Sequence, residues 1–298
     1  MRRALWLLLL LVSSFAAAQE CTTYVVVPVV DHTTGKDIDH LKLGDFRAQS
    51  GRTALPIVSA EHKFSNRLLV LLETDGISSN DKLDSEIKAM TQLARQAPDG
   101  KPIAFGIYAD HSVFSKDFSS DAKQRTAEIN GVIEEAGELS SKHVTLFDAL
   151  LQALAMFGPH QAGDTILLVG DPYDDSSHHS ADDVEKEFLR SGIRLAVMLR
   201  QPLSHVSRDF MWSTHDREKQ MFDLLTRRTG GSYTVYEEHL FDFPWKGYML
   251  GVELPNRRHM PKKWKLQLSG SAEVAGQHPK LYYPERLPPC FTPSAEEK

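Results

Sequence analysis

Apolar runs that alternate with stretches of helical spacing constrain this chain's fold more than any other feature of it. The runs are RLLVLL (67–72), PIAFGIYA (102–109), DTILLVG (164–170) and IRLAVMLR (193–200). A strand with one wet face alternates polar and apolar residues. A run without that alternation is buried on both faces, the condition of a strand inside a helix-covered parallel sheet. After the first run comes NDKLDSEIKAMTQLARQA (80–97), with Leu83, Ile87, Met90 and Leu93 at helical spacing and Pro98 and Gly100 closing it. AKQRTAEINGVIEEA (122–136), TLFDALLQALAMF (145–157), ADDVEKEFLRSG (181–192) and REKQMFDLLTRRTGG (217–231) read as further helices, and SYTVY (232–236) as a last strand. Strands and helices in alternation predict a doubly wound, mainly parallel α/β sheet with right-handed crossovers. In such sheets the binding crevice lies beyond the carboxyl ends of the strands.

The flanks have a different rhythm. Val25, Val26, Val27, Val29 and Val30 are β-branched, and Thr33 to Gly35 and the QSGR stretch (49–52) supply turns. Beyond Glu237 the segments YMLGVEL, WKLQLSG and PKLYYP again read as short strands. The chain therefore divides into a leader (1–18), an amino-terminal β segment (19–66), an α/β domain (67–236), and a carboxyl-terminal β segment with a polar tail (237–298). In the leader, Arg2 and Arg3 precede an apolar run that ends in small residues at Ala18, the pattern of a cleaved secretory signal. Glu20 stands where a lipoprotein would need a small residue. The formal charge is −6, and loss of the two leader arginines takes it to −8. A chain of that sign without a long basic run argues against nucleic acid or anionic membrane as partner. The cysteines are Cys21 and Cys290. Outside the cytoplasm they read as a disulfide joining the ends of the mature chain, worth about 5 kcal/mol in the chain-entropy view, or else as two unpaired thiols.

Polar clusters follow the places where parallel strands would end. The first holds Glu73, Asp75, Ser78 and Ser79; the second is Thr145, at a helix start; the third is Asp171. Carboxylates and hydroxyls from three loops at one sheet edge can supply the oxygen ligands that Mg²⁺ or Mn²⁺ takes. They can equally be strand-end polar groups, with Thr145 capping its helix and Asp171 accepting from backbone donors. DPYDDSSHHSADD (171–183) has the residue types of a zinc site. Adjacent histidines diverge on most backbones, however, so the stretch reads as a solvated loop leading to a helix capped by Ser180. No nucleophile elbow, His-Glu-x-x-His helix or phosphate-cradling glycine loop is present in the sequence.

The order of these features resembles the von Willebrand factor A (VWFA) domain: strand and acidic loop, Thr before LFDAL, DPYDDSS after a strand, then RRTGGSYTVY. The flanking segments VVVPVVDHTTGKDIDHLKLGDFRAQ and YMLGVELPNRRHMPKKWKLQLSG resemble the secreted VWFA-related family best known from acidobacteria. The resemblance implies a metal-ion-dependent adhesion site in which an Asp-x-Ser-x-Ser loop, a Thr and an Asp surround Mg²⁺ or Mn²⁺ and leave a position open for a partner's carboxylate. Thr145 and Asp171 match. The first loop departs: Glu73 replaces the Asp, Asp75 the first Ser and Ile77 the second. A degenerate site is therefore expected, formed by Glu73, Asp75, Ser78, Thr145 and Asp171. The function implied is binding of a protein partner or ligand outside the cytoplasm. A metal-free structural or scaffolding module of the envelope stands second, and a metal-dependent hydrolase third.

Overall fold

The computed structural model describes residues 21–34, 36–64, 66–74, 91, 97–137, 139, 143–170, 173–199, 216–235, 246–254, 263–269 and 278–288. The leader, the helix expected over 80–97 apart from residues 91 and 97, and Asp75, Ile77, Ser78, Ser79, Asp171 and Cys290 lie outside them.

The central sheet is built from β6 (Leu68–Glu73), β7 (Ile103–Tyr108), β8 (Ser112–Phe114), β9 (Thr165–Gly170), β10 (Arg194–Leu199) and β11 (Tyr233–Val235). Their order across the sheet is β11-β10-β9-β6-β7-β8. All neighbours run parallel except β8, which returns antiparallel to β7 through Gly106↔Phe114 and Tyr108↔Ser112. In β6 the side chains divide by parity. Leu69 and Leu71 join one core and Leu68, Val70 and Leu72 the other, which explains why the strand is apolar at every position.

Helices cover both faces. Against the first core lie α2 (Leu146–Met156), α3 (Ala181–Ser191) and α4 (Asp216–Thr229), through Leu146, Leu150, Leu154, Val184, Phe188, Phe222 and Leu225. Against the second lies α1 (Ala122–Ala136), through Ile129 and Val132. The end of α3 is set locally by Gly192, whose φ of 70° is left-handed and whose N–H bonds to Phe188 O. At its start, the Ser180 hydroxyl accepts from Asp183 N while Asp183 returns the bond to Ser180 N, a capping box.

The described segments that flank the α/β unit meet in one β unit. Strand β12 (Lys246–Leu254) lies between β1 (Cys21–Val27) and β5 (Ile57–Phe64), antiparallel to both. Two smaller ladders complete it: β13 (Lys265–Leu268) with β3 (Phe46–Ser50) and β4 (Thr53–Leu55), and β14 (Pro279–Leu281) with β2 (Val29–Asp31). Their shared core contains Val25, Val27, Phe46, Tyr248, Leu250, Val252, Trp264 and Leu266. Polar tips within it are paired: Tyr248 OH accepts from Leu41 N and donates to Ile38 O, and Trp264 Nε1 donates to Pro284 O.

This unit sits at the amino pole of the α/β sheet. Strand β5 runs into β6 across a three-residue link. The 283–288 segment passes so close to the starts of β10 and β11 that a Cβ on Gly192 would lie 3.2 Å from Pro288, and one on Gly230 would lie 2.5 Å from Pro284. The carboxyl pole is at the other end of the strands. Cys21 opens β1, is buried and is not a free thiol. No helix among the described residues is long and apolar enough to cross a membrane.

Candidate functional site at the carboxyl edge

Numbered along the α/β unit alone, the strand order is 3-2-1-4-5-6, and the winding reverses between β6 and β9. That reversal is the topological switch point, where the loops leave in opposite directions and open a crevice. Glu73 ends β6 and Gly170 ends β9, so the two flank the crevice.

Glu73 is fully buried. Its side chain lies across the backbone of Gly170, where an added Cβ would stand 2.5 Å from both Glu73 Cβ and Glu73 Oε2. Gly170 is thus needed for its missing side chain: the space belongs to the glutamate. The next residue, Thr74, donates from its N–H to Tyr108 O at 3.0 Å and from its hydroxyl to the same oxygen at 3.3 Å. Thr145 approaches the adjacent carbonyl. Its N–H donates to Ala109 O at 2.8 Å and its Oγ1 at 3.1 Å. The two described candidate residues are therefore held at one edge because both loops clasp consecutive carbonyls at the end of β7.

Thr145 occupies the N-cap position of α2, but its side chain makes no capping bond, contrary to the capping role open to it from the sequence. The caps come from the loop after β9. Phe147 N donates to Asp174 Oδ1 at 3.2 Å and Asp148 N to Ser177 Oγ at 3.1 Å. Ser177 Oγ in turn donates to Asp174 Oδ1 at 2.5 Å, and Val144 N donates to Asp175 Oδ1 at 2.7 Å. Burial pushes the Asp174 carboxyl up, against these bonds. The Val144 N–H holds Asp175 down.

Asp148, in the first turn of α2, completes the junction. It accepts from His178 N at 3.0 Å and His179 N at 3.1 Å, and the Nδ1 atoms of the two rings lie 3.0 and 2.7 Å from its oxygens. Burial opposes the charge, but these contacts outweigh it and hold the carboxyl well below its usual range. The described part of the stretch, 173–183, is partly or fully exposed and leads to a helix capped by Ser180, as expected, but its two histidines do not diverge. Residues 174–179 are pinned to α2, and both imidazoles turn to one carboxylate. Among the described residues no group of three or more His, Cys, Asp or Glu could hold a metal ion. Sequence reading missed this junction, whose one trace was an acidic residue in the first turn of α2.

Glu73 and Thr145 offer the oxygen donors that suit Mg²⁺ or Mn²⁺. The Thr145 proton is committed to Ala109 O, which leaves the oxygen's lone pairs as its remaining capacity. Glu73 is one methylene longer than Asp and already packed on Gly170.

No known family profile matches the chain, and no curated protein matches it. Solved structures similar to it include BatB from Bacteroides thetaiotaomicron (14% identity, 58% of this chain and 90% of that one, TM-score 0.42). A von Willebrand factor type A protein from Catenulispora acidiphila is similar at 13% identity, over 76% of this chain and 49% of that one, with TM-score 0.45. Proximal thread matrix protein 1 from the mussel byssus, with its zinc-occupied MIDAS motif, is similar at 13% identity over 63% and 49%, with TM-score 0.46. In this chain the sheet order, its antiparallel edge and the helices on both faces are those of a doubly wound α/β unit. The α/β unit is similar to the von Willebrand factor type A structure among those solved structures.

Proposed function

We propose that the chain works outside the cytoplasm as a protein- or ligand-binding module, with its contact surface at the carboxyl edge of the VWFA sheet and a degenerate metal-ion-dependent adhesion site there. The observation that carries the reading is a fully buried carboxylate, Glu73, at the switch point of a doubly wound sheet, in space left by Gly170. Glu73, Thr145, Asp75, Ser78 and Asp171 would hold Mg²⁺ or Mn²⁺, which when bound would present an open position to a partner's oxygen. Zinc occupancy of the corresponding motif in the mussel protein fits such a role. The leader supports export, and Thr23 Oγ1 donating to Pro288 O at 2.9 Å brings the Cys21 and Cys290 neighbourhoods together, which supports their pairing.

One observation favours a second reading, the metal-free scaffold. Asp148, Asp174 and Asp175 all serve as acceptors for backbone N–H groups rather than facing a vacant centre. The two separate in a pull-down from envelope extracts with and without EDTA, using the mature chain and its Thr145→Ala variant. Capture that weakens with EDTA and with the variant supports the adhesion reading; capture indifferent to both supports the scaffold.

A further inference from the structure

A cavity at the amino pole lies away from the carboxyl edge. It sits near the starts of β6 and β7 and has a volume of about 320 Å³. Lys63, Arg67 and Lys101 line it, together with Asn66 and Gln161. Asp99, an exposed residue, is the one acidic group among its described lining residues. Lys63 comes from β5 of the β unit, Arg67 from the link into β6, and Lys101 from the turn before β7. The cavity is therefore at the seam between the two parts of the chain.

These cations differ in how far they are already committed. Arg67 pairs with the fully buried Asp164, with Nη2 2.5 Å and Nε 3.1 Å from its carboxylate oxygens. It also donates from Nη1 to Phe157 O at 2.6 Å and from Nη2 to Pro159 O at 2.7 Å, which leaves one Nη1 proton for a ligand. Lys63 sits partly exposed, 3.3 Å from Glu61. Lys101 is buried, with Nζ donating to Asn66 O. Among the described residues, Asp164 attracts the ammonium and the buried Arg194 repels it. Arg125, also buried, donates from Nη1 to Lys101 O at 3.1 Å. Basic side chains outnumber acidic ones around a space large enough for a small dianion.

We propose that this cavity binds a small oxyanion dianion, of the sulfate or phosphate type, between Lys101, Lys63 and Arg67. Burial, acting against Asp164, pulls the Lys101 ammonium down to about 7. An anion beside it adds attraction to the charged form and raises that value, so the anion binds together with a proton. Affinity is then highest below about pH 7 and falls by up to about tenfold per pH unit above it, until the free lysine's range is reached. Such a ligand at the seam would hold the β unit and the α/β unit together without touching the carboxyl edge.

The test is calorimetric titration of the full mature chain with sodium sulfate at pH 6.0 and 8.5, at constant ionic strength set with chloride. Sulfate is the probe because it does not itself titrate in this range. Saturable binding at pH 6.0, at least tenfold weaker at pH 8.5, is expected, with proton uptake visible as a heat that depends on the buffer's ionisation enthalpy. Lys101→Met should remove the pH dependence and most of the affinity. Lys63→Gln, on a partly exposed side chain that should not affect folding, should weaken binding and keep the pH dependence. The absence of saturable binding at pH 6.0, equal affinity at both pH values, or Lys63→Gln binding as tightly as the parent would overturn the proposal.

Discussion

Replacing Asp148 with alanine should loosen the junction that holds the start of α2, and the size of the loss can be worked from its contacts. Asp148 accepts two backbone N–H bonds, from His178 and His179, and two imidazole contacts at 3.0 and 2.7 Å. A hydrogen bond to a charged acceptor contributes about 1.5 kcal/mol, and an exposed ion pair a few tenths. The His178 and His179 side chains are 90% and 56% exposed, so the backbone pair dominates. The sum is about 3 kcal/mol. Asp148→Asn keeps an acceptor without the charge and should lose about half of that. Because the folded carboxyl is held below its ordinary value, its contribution is complete above the unfolded value near pH 4 and disappears as pH falls through the folded one. Urea denaturation of parent and variant at pH 6 and again toward pH 2 measures both. A loss under about 0.5 kcal/mol at pH 6, or a difference unchanged toward pH 2, would refute the reasoning.

Gly170→Ala should destabilise by about 1–3 kcal/mol through overpacking on Glu73, and Glu73→Asp in the same chain should recover part of it; a thermal melt of single and double variants would show otherwise if the effects simply added. Non-reducing peptide mapping should recover Cys21 joined to Cys290, whereas two alkylatable thiols would remove that bond from the account. Amino-terminal sequencing of the exported protein should begin at Gln19, and retention of Met1 in a membrane fraction would contradict cleavage after Ala18.

What could be read from the sequence was what short-range chemistry determines. Leu68 to Leu72 had to face two cores because no polar residue interrupts them, and they do. Ser180 and Asp183 spell out a capping box within four residues, and Gly192 ends the same helix. Strand β8 escaped notice because three residues, Ser112 to Phe114, carry too little pattern to mark an edge. The bonds that define the candidate site are long-range. Thr145 reaches Ala109 across 36 residues and Asp148 reaches His178 across 30, so no local pattern could divert Thr145 from the capping role its position suggests. Glu73 was legible as a departure from the family's aspartate. Its contact with Gly170, close to a hundred residues on, was not, because only the β6–β9 adjacency of the folded sheet creates it.

The proposal of a degenerate site at the switch point is tested most directly by Mg²⁺ titration of the mature chain beside the restored variant Glu73→Asp, Asp75→Ser, Ile77→Ser, followed by calorimetry and thermal melting. The unmodified chain should gain little stability from Mg²⁺, since a ligand stabilises in proportion to its occupancy of the native state. The restored chain should bind more tightly, because three oxygen ligands of the usual lengths are rebuilt. Thr145→Ala and Asp171→Ala in that background should abolish the gain. Mg²⁺ binding by the unmodified chain as tight as by the restored one would contradict the degeneracy of the site and show that Glu73 and Asp75 serve as ligands no worse than the usual Asp and Ser.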